Sequence, residues 1–192
     1  LTSLVGSEMC IRDRNKLVFT YTVGAGHTSV SGLQVTSLSV NSPTTLKDSA
    51  GNDLNTTIGD AVTNLSGIDI DTTNPTVNSI SATAGTYADS DTIDITGTFS
   101  EPVTLSSGGQ LEMTLSICST ITVDSFSNSS SVVFSYSVGA DENVSNLDVT
   151  ALALTGTATL KDTHNNDATL ASLPAFTTVS YTHLRAHETS QH

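Results

Sequence analysis

The sequence is poor in positive charge and contains no tryptophan. Only 6 of its 192 residues are Lys or Arg, against 19 Asp and Glu, which gives a formal net charge of -13. A phosphate-binding surface needs clustered Lys and Arg, so the charge argues against nucleic acid as a partner. Long apolar runs are also missing, and we therefore expect no transmembrane helix in this chain.

Cysteine and helical periodicity are equally scarce. The only cysteines are Cys10 and Cys118. Cys10 falls in a terminal segment that we exclude below, so we predict no structural disulfide. Charged residues make up only 13% of the chain. Ser, Thr, Asn and Gly fill the other polar positions, which is more typical of extracellular β-sandwiches than of cytosolic enzymes.

Signals of catalysis are missing as well. Outside the two ends the only histidines are His27 and His164, each in a predicted turn with no partner at metal-ligand spacing. The sequence has no nucleophile elbow and no glycine-rich phosphate loop that opens a helix. Glu112 and Asp124 are the one acid–base pair that can be imagined, and both occupy outward-facing positions of predicted strands. We therefore predict that the chain is not an enzyme.

What the sequence does contain is an internal repeat. Residues 33–53 and 147–167 are identical at ten of twenty-one positions without a gap. The strand before each segment also recurs, because apolar residues alternate with polar ones in both copies, as in a half-buried strand. These residues are Leu17, Phe19, Tyr21 and Val23 in the first copy and Val132, Phe134, Tyr136 and Val138 in the second. The alternation slips by one residue near Thr36, which predicts a bulge or a switch of sheet there and at the matching position of the second copy.

Four more strands are predicted before the second copy, at residues 77–81, 93–99, 111–117 and, as a short edge strand, 121–123. Together they give about seven strands in about 100 residues, which predicts an all-β, immunoglobulin-like antiparallel β-sandwich. The first copy has no such opening strands. It is therefore half a domain, and we expect it to be marginally stable or prone to aggregate by itself.

The repeat suggests where the chain divides. Residues 15–70 are the C-terminal half of one repeat, residues 69–75 an acidic linker and residues 75–178 a complete repeat. The two ends, residues 1–14 and 179–192, resemble translated sequencing-adapter peptides at the ends of reading frames from metagenomic assemblies. They hold all three Arg and three of the five His. We treat them as artefactual ends and expect the chain to be a fragment of a longer tandem array.

Several stretches carry a resemblance to a known family. They are the TFSEPV sequence at residues 98–103, the F-x-Y-x-V strands, LKDSAGND at residues 46–53 and the D-x-D-x-x-N-P junction at residues 69–75. They resemble the bacterial immunoglobulin-like, or cadherin-like, tandem repeats of large extracellular proteins, many of them adhesins. The resemblance covers about residues 16–178.

This resemblance implies a non-catalytic spacer in a secreted or bacterial cell-surface protein. The implied partners are neighbouring repeats of the same chain, with a cell-surface or carbohydrate ligand as a further candidate. Two alternatives stay open. One is an accessory module of a secreted polysaccharide-degrading enzyme, and the other is a module that binds a carbohydrate or another ligand directly.

The acidic linker is the main candidate site. Asp69 and Asp71 lie two apart in extended backbone, so their side chains point the same way with Cα atoms about 7 Å apart. With Asn74 and Glu101 they offer the oxygen ligands that Ca²⁺ prefers. We expect Glu101 in a loop that returns to the pole where the chain begins the sandwich. Acidic linkers that bind calcium and stiffen the rod are implied by the resemblance; the alternative is a solvated linker with Glu101 closing a turn before Pro102.

A second, weaker candidate is the turn that each copy contains. Its polar residues suit either a metal loop or an Asx turn, in which the side chain bonds its own backbone, and we favour the turn. The second copy has His164 and Asn165 where the first has Ala50 and Gly51, which suggests that the two turns bend differently. The candidate residues are Asp48, Asn52 and Asp53 in the first copy and Asp162, Asn166 and Asp167 in the second.

Overall fold

The computed structural model describes residues 19–28, 35, 37–57, 65, 67–140, 142 and 146–175. The chain divides into two compact units, Leu1–Thr73 and Asn74–His192. The division falls inside residues 69–75, the segment interpreted above as a linker. All strands of the described residues lie in the second unit: β1 Val77–Ala82, β2 Thr92–Leu105, β3 Leu111–Leu115, β4 Thr120–Val123, β5 Phe126–Ser137, β6 Val149–Leu154 and β7 Leu160–Lys161.

The strands form two antiparallel sheets, which confirms the all-β prediction. In one sheet β2 pairs with β1, β5 and β7. In the other, β3 lies between β4 and β6. β4 pairs with β3 alone among the described strands, as an edge strand should. The part of the chain that the structure describes contains no helix that is long and apolar enough to cross a membrane.

The core of the second unit follows from the alternation of its strands. Every second residue of β2, of β3 and of β5 from Val132 onward faces inward, because successive side chains of a strand point to opposite faces. Burying one such side chain contributes about 1.5 to 3 kcal/mol. The most deeply buried large side chains are Ile80, Ile93, Ile95, Val103, Leu105, Leu111, Met113, Leu115, Phe134, Leu147 and Leu160.

β2 is longer than the sequence suggested. The strand expected at residues 93–99 continues to Leu105, because Val103 and Leu105 pair with β5 and are buried. The pairing with β5 is irregular between Thr98 and Val103. Pro102 lies in this break, where its missing N–H costs no ladder hydrogen bond. The expectation of a loop directly after Phe99 was therefore wrong.

β3, in contrast, ends earlier than expected. It stops at Leu115, and the strand predicted to reach Ile117 turns instead. The N–H of Cys118 donates to the carbonyl of Leu115 at 3.0 Å, and the N–H of Leu115 donates to that of Ser119 at 2.8 Å. Cys118 has a left-handed φ of 60° and is an exposed, free thiol. The tight turn between β3 and β4 thus takes up the last two residues of the predicted strand.

The phase slip predicted for the repeat is present in the second copy as a bulge. Leu115 of β3 pairs with Val149, whereas Thr114 pairs with Ala151. Thr150 is thus the extra residue, and the buried residues before and after it are Val149 and Leu152. Thr150 is the counterpart of Thr36, and Thr36 lies outside the described residues.

The described residues of the first unit form none of the strands that their alternation predicted. Residues 19–23 and 37–40 are described and are not in strands, while Leu17 and Leu33 lie outside the described residues. An isolated bridge joins Lys47 and Asp53. The physical reason is that a strand is stable only when a neighbour completes its backbone ladder. Among the described residues of the first unit, no strand lies beside these segments to provide one.

Candidate functional site

The four residues of the predicted calcium site are divided between the two units. Asp69 and Asp71 belong to the first unit, and Asn74 and Glu101 belong to the second. Within the first unit, Oδ1 of Asp71 accepts a hydrogen bond of 2.9 Å from the backbone N–H of Thr73. This is the local Asx turn that aspartate commonly forms, and it fixes one oxygen of the Asp71 carboxylate.

The end of the first unit is also fastened to an earlier turn of the same unit. The Thr72 hydroxyl oxygen accepts a hydrogen bond of 2.9 Å from the N–H of Gly26, and the hydroxyl donates to the carbonyl of His27 at 3.2 Å. The hydroxyls of Thr28 and Thr73 lie 3.4 Å apart. The two residues after Asp71 are therefore held by contacts that are distant in sequence.

Glu101 lies in β2, at its irregular middle part, and is half-buried. Its neighbour Ser100 donates a backbone hydrogen bond of 2.9 Å to the carbonyl of Thr76. The N–H of Thr76 in turn donates to the Ser100 hydroxyl oxygen at 3.0 Å. Glu101 thus adjoins the first residues of the second unit, although it is in a strand and not in a loop. Calcium binding by this set of residues stays a prediction.

The turn of the first copy, residues 46–54, is built around one carboxylate. Oδ1 of Asp48 accepts hydrogen bonds from the N–H of Ala50 at 2.9 Å and of Asn52 at 2.8 Å. Oδ2 accepts a third from the Asn52 side-chain amide at 2.9 Å. We name this segment the Asp48 turn. Its carboxylate accepts the hydrogen bonds that a backbone carbonyl accepts in an ordinary turn. The segment is therefore an Asx turn, the interpretation favoured from the sequence.

The second copy repeats this arrangement at residues 160–168, named here the Asp162 turn. Oδ1 of Asp162 accepts from the N–H of His164 and of Asn166, both at 2.8 Å, and Oδ2 accepts from the Asn166 amide at 2.8 Å. In this copy the aspartate is buried, with 7% of its surface exposed. It is the buried charged residue of the second unit's described part, and its hydrogen bonds compensate the cost of burial.

The bend of the two turns is also the same. Gly51 has a φ of 89° and Asn165 a φ of 71°, both in the left-handed region. Asparagine tolerates this conformation better than most residues, because its short side chain can hydrogen-bond locally. The backbone bonds match too, since Leu54 donates to Leu46 at 2.8 Å and Ala168 to Leu160 at 2.8 Å. The suggestion that the second turn bends differently was wrong.

A lysine closes each turn. Nζ of Lys47 forms an ion pair with Asp53, and Nζ of Lys161 pairs with Asp167 at 2.7 Å. Each lysine also donates to a backbone carbonyl inside its own turn. Ion pairs with this degree of exposure contribute at most about 1 kcal/mol. Of the six residues in the weaker candidate set, two therefore pair with a cation and the other four form the Asx hydrogen bonds.

The hydrogen bonds shift the acidity of both central aspartates. The pKa of Asp48 is lowered, first by the side-chain amide of Asn52 and then by backbone N–H groups of the turn. For Asp162 the largest influence is burial, which raises the pKa, but the bonds from Asn166 and His164 together outweigh it. The net pKa of Asp162 is therefore also lowered. Both carboxylates are held in the charged form that the N–H donors require.

A second repeated contact was not predicted from the sequence. In the first copy the Tyr21 hydroxyl bonds Nδ1 of His27, which also accepts from the N–H of Gly24 at 3.1 Å. The two rings stack with centroids 5.6 Å apart. The tyrosine is thus joined to a residue six positions later, across a glycine turn. We name this arrangement the tyrosine clasp.

The second copy has the same clasp with a carboxylate in place of the imidazole. The Tyr136 hydroxyl donates to Oε2 of Glu142, and the N–H of Gly139 donates to the same oxygen at 2.9 Å. Burial and then the Glu142 hydrogen bond raise the pKa of Tyr136. The signal was present in the sequence as YTVGAGH and YSVGADE, whose spacing is identical but whose last residues differ in type.

No protein-family model, curated protein or solved structure matches the chain.

Proposed function

We propose that the chain is a non-catalytic structural repeat, acting as a spacer in a secreted or bacterial cell-surface protein of the adhesin type. Neighbouring repeats of the same protein are its partners. The observation that carries this proposal is the correspondence of the Asp48 and Asp162 turns. Two stretches 114 positions apart share three side-chain hydrogen bonds, a left-handed residue and a lysine ion pair.

The composition supports the same function. A spacer must stay soluble at high local concentration, and a net charge of -13 makes neighbouring chains repel one another. The polar surface positions of the second unit carry mainly Ser and Thr, which suit a β-strand without creating a binding site. In this proposal the repeat determines the distance between the parts of the protein that lie on either side of it.

The spacer function predicts a specific dependence of length on repeat number. Arrays of two, three and four copies of residues 69–178 should increase in maximum dimension by a constant amount per copy, measured by small-angle X-ray scattering. A rod grows in this way because each repeat contacts only its neighbours. The proposal would be refuted if the maximum dimension increased by less with each added copy, as it does for a compact globule.

Calcium is part of the proposal at the acidic segment. Asp69, Asp71, Asn74 and Glu101 offer only oxygen ligands, which fits a hard cation such as Ca²⁺. Within the first unit, the contacts of Thr72 and the Asx turn at Asp71 limit how far the segment can move. A bound cation would offset the repulsion between the acidic side chains and hold the segment in one conformation.

Thermal unfolding of the full chain tests the calcium proposal. A ligand that binds only the folded state raises Tm, so Tm should be higher in millimolar calcium than in excess EGTA. The Asp69→Asn, Asp71→Asn double variant should lose this difference, and Asp48→Asn should keep it. An equal Tm in both buffers would contradict calcium binding. If Asp48→Asn lost the Tm difference between calcium and EGTA while the double variant kept it, the ion would bind in the Asp48 turn.

A further inference from the structure

Two hydrogen-bond donors of the first unit point at the same nitrogen of the His27 ring. Nδ1 lies 2.5 Å from the hydroxyl oxygen of Tyr21 and 3.1 Å from the backbone nitrogen of Gly24. A backbone N–H can only donate, so Nδ1 must carry a lone pair and no proton. The Tyr21 hydroxyl then donates as well. The tyrosine clasp of the first copy therefore requires the neutral imidazole, with its proton on Nε2.

The turn that carries this ring, residues 24–27, also holds the end of the first unit. We name it the glycine turn. The N–H of His27 donates to the carbonyl of Gly24 at 3.1 Å and closes the turn. Thr72 is bound to the same turn twice, because its hydroxyl oxygen accepts from the N–H of Gly26 and its hydroxyl donates to the carbonyl of His27. The ring contacts and the contacts of Thr72 thus depend on one short piece of backbone.

The second copy keeps the clasp but uses a group that responds to acid differently. Oε2 of Glu142 accepts from the Tyr136 hydroxyl and from the N–H of Gly139, as Nδ1 does in the first copy. Carboxylic acids in general gain a proton only near about pH 4, and the protonated form still has acceptor capacity. An imidazole in general changes its charge between about pH 5 and 8, and its protonated form has donors alone. The same geometry is therefore lost in milder acid when the acceptor is histidine.

The titratable group that faces the half-buried His27 ring, among its contacts in the described part of the first unit, is the phenol of Tyr21. The two rings stack with their centroids 5.6 Å apart. Phenols stay protonated below about pH 10, so the hydroxyl remains a donor throughout the range in which an imidazole titrates. On the segment bound to the backbone of the glycine turn, the charged groups are the carboxylates of Asp69 and Asp71, which precede Thr72. Within the clasp itself, the change in acid therefore falls on the imidazole.

We propose that the tyrosine clasp of the first copy is an acid-sensitive switch. As the pH falls from about 7 to about 5, Nδ1 of His27 takes a proton from solvent and can no longer accept from Tyr21 and Gly24. The glycine turn opens, and Thr72 loses the two hydrogen bonds that fasten it there. The clasp at Glu142 stays closed over the same range. This inference goes beyond the proposed function and does not depend on it.

Nitrogen chemical shifts of the ¹⁵N-labelled full chain test the proposal during a pH titration. At about pH 7.5 the ring signals of His27, assigned with the His27→Gln variant, should show the tautomer with the proton on Nε2. The amide signals of Gly26 and Thr72 should then shift with the same midpoint as the ring between about pH 7 and 5. The amide signal of Gly139 should stay constant in that range, since its acceptor is a carboxylate.

The matched control is His27→Glu, which gives the first copy the acceptor that the second copy uses. It should hold the amide signals of Gly26 and Thr72 constant down to about pH 5 and move their change to about pH 4. His27→Phe keeps a ring without an acceptor, so its Thr72 signal at pH 7 should already resemble that of the wild-type chain at pH 5. A proton on Nδ1 at pH 7.5 would overturn the proposal. So would a Thr72 signal that does not follow the ring, or one that shifts equally in His27→Glu.

Discussion

Residues 46–54 and 160–168 form the same turn, but the segments before them differ between the two units. In the second copy those segments are β5 and β6 and contribute to a closed core. In the first copy the described parts of the same segments are not in strands and expose their apolar residues. The comparison separates structure that the local sequence determines from structure that needs distant partners.

The turns belong to the first kind. Each is held by bonds between residues at most eight positions apart, so the entropy lost in closing it is small. The strands belong to the second kind. β5 is stabilised by β2, whose paired residues lie 21 positions (Leu105 and Phe126) to 45 positions (Thr92 and Ser137) away in sequence, and no such strand is found among the described residues of the first unit. The tyrosine clasps, which span six residues, resemble the turns in being present in both copies.

The largest difference in stability between the two units is expected when the equivalent residues Phe134 and Phe19 are truncated. Phe134→Ala should lower the free energy of unfolding of the second unit by about 3 to 5 kcal/mol, because it leaves a cavity in a closed core. Phe19→Ala should change stability by less than about 0.5 kcal/mol, since exposed side chains make few contacts. Urea unfolding of the full chain, followed by amide signals of each unit, measures both. Similar losses at the two sites would contradict the comparison.

The strands of the second unit were largely predictable from the sequence. The alternation of Ile93 and Ile95 and of Phe134 and Tyr136 predicted inward-facing strands correctly, because a period of two leaves each side chain one possible face. The bulge at Thr150 followed from the same logic. The end of β2 was missed, because Glu101 and Pro102 resemble a turn, and the burial of Val103 and Leu105 depends on pairing with distant strands.

The candidate site was predictable to a smaller extent. The Asx turns could be inferred, since Asp48 and Asp162 stand four residues before an asparagine whose backbone and side-chain N–H groups they can reach. The clasps were missed, because a tyrosine bonded six residues ahead has no periodic signature. The same local contact also uses an imidazole ring at His27 and a carboxylate at Glu142.

The next largest difference is expected at the central aspartates. Asp162→Ala should destabilise the second unit by about 1 to 3 kcal/mol, because it leaves buried N–H donors of the turn without an acceptor. Asp48→Ala should act locally and increase hydrogen exchange at Ala50 and Asn52, since that turn is exposed. Amide exchange measured residue by residue distinguishes the two. Global loss of the first unit's signals in Asp48→Ala would contradict a locally determined turn.

The Asp162 turn should also show a defined response to acid. Its carboxylate has a pKa below the usual value of 3.8, so the stabilisation is complete above that value and is lost as the pH falls through the lower folded pKa. The difference in stability between the wild-type chain and Asp162→Asn should therefore shrink below about pH 4. Urea midpoints at several pH values measure this. A difference that stays constant down to pH 2 would contradict the assignment.

A smaller effect is expected from the clasps. Tyr136→Phe should cost about 1.5 kcal/mol, the lower end of the range for a hydrogen bond to a charged group, because the bond is only partly buried. The pKa of Tyr136 is raised by burial and by Glu142, so its contribution is present below the unfolded value near 10 and is lost as the pH rises through the folded value. Wild-type stability should thus fall more steeply than that of Tyr136→Phe above about pH 10. Parallel curves of stability against pH for the two chains would contradict this. Tyr21→Phe, which removes the equivalent hydroxyl of the first copy, is the matched control.

The smallest effect concerns the left-handed residue of each turn. Gly51→Asn and Asn165→Gly exchange the two residues that the copies use at this position, with φ of 89° and 71°. Glycine reaches this conformation without strain but loses more backbone entropy on folding, and asparagine tolerates it with less entropy to lose. The two contributions oppose each other, so each exchange should alter the free energy of unfolding by less than about 0.5 kcal/mol. Gly51→Val should be clearly worse, because a β-branched residue is strained at positive φ. If Asn165→Gly alone caused a large loss, the Asp162 turn would depend on more than its local bonds, and the equivalence of the two turns would fail.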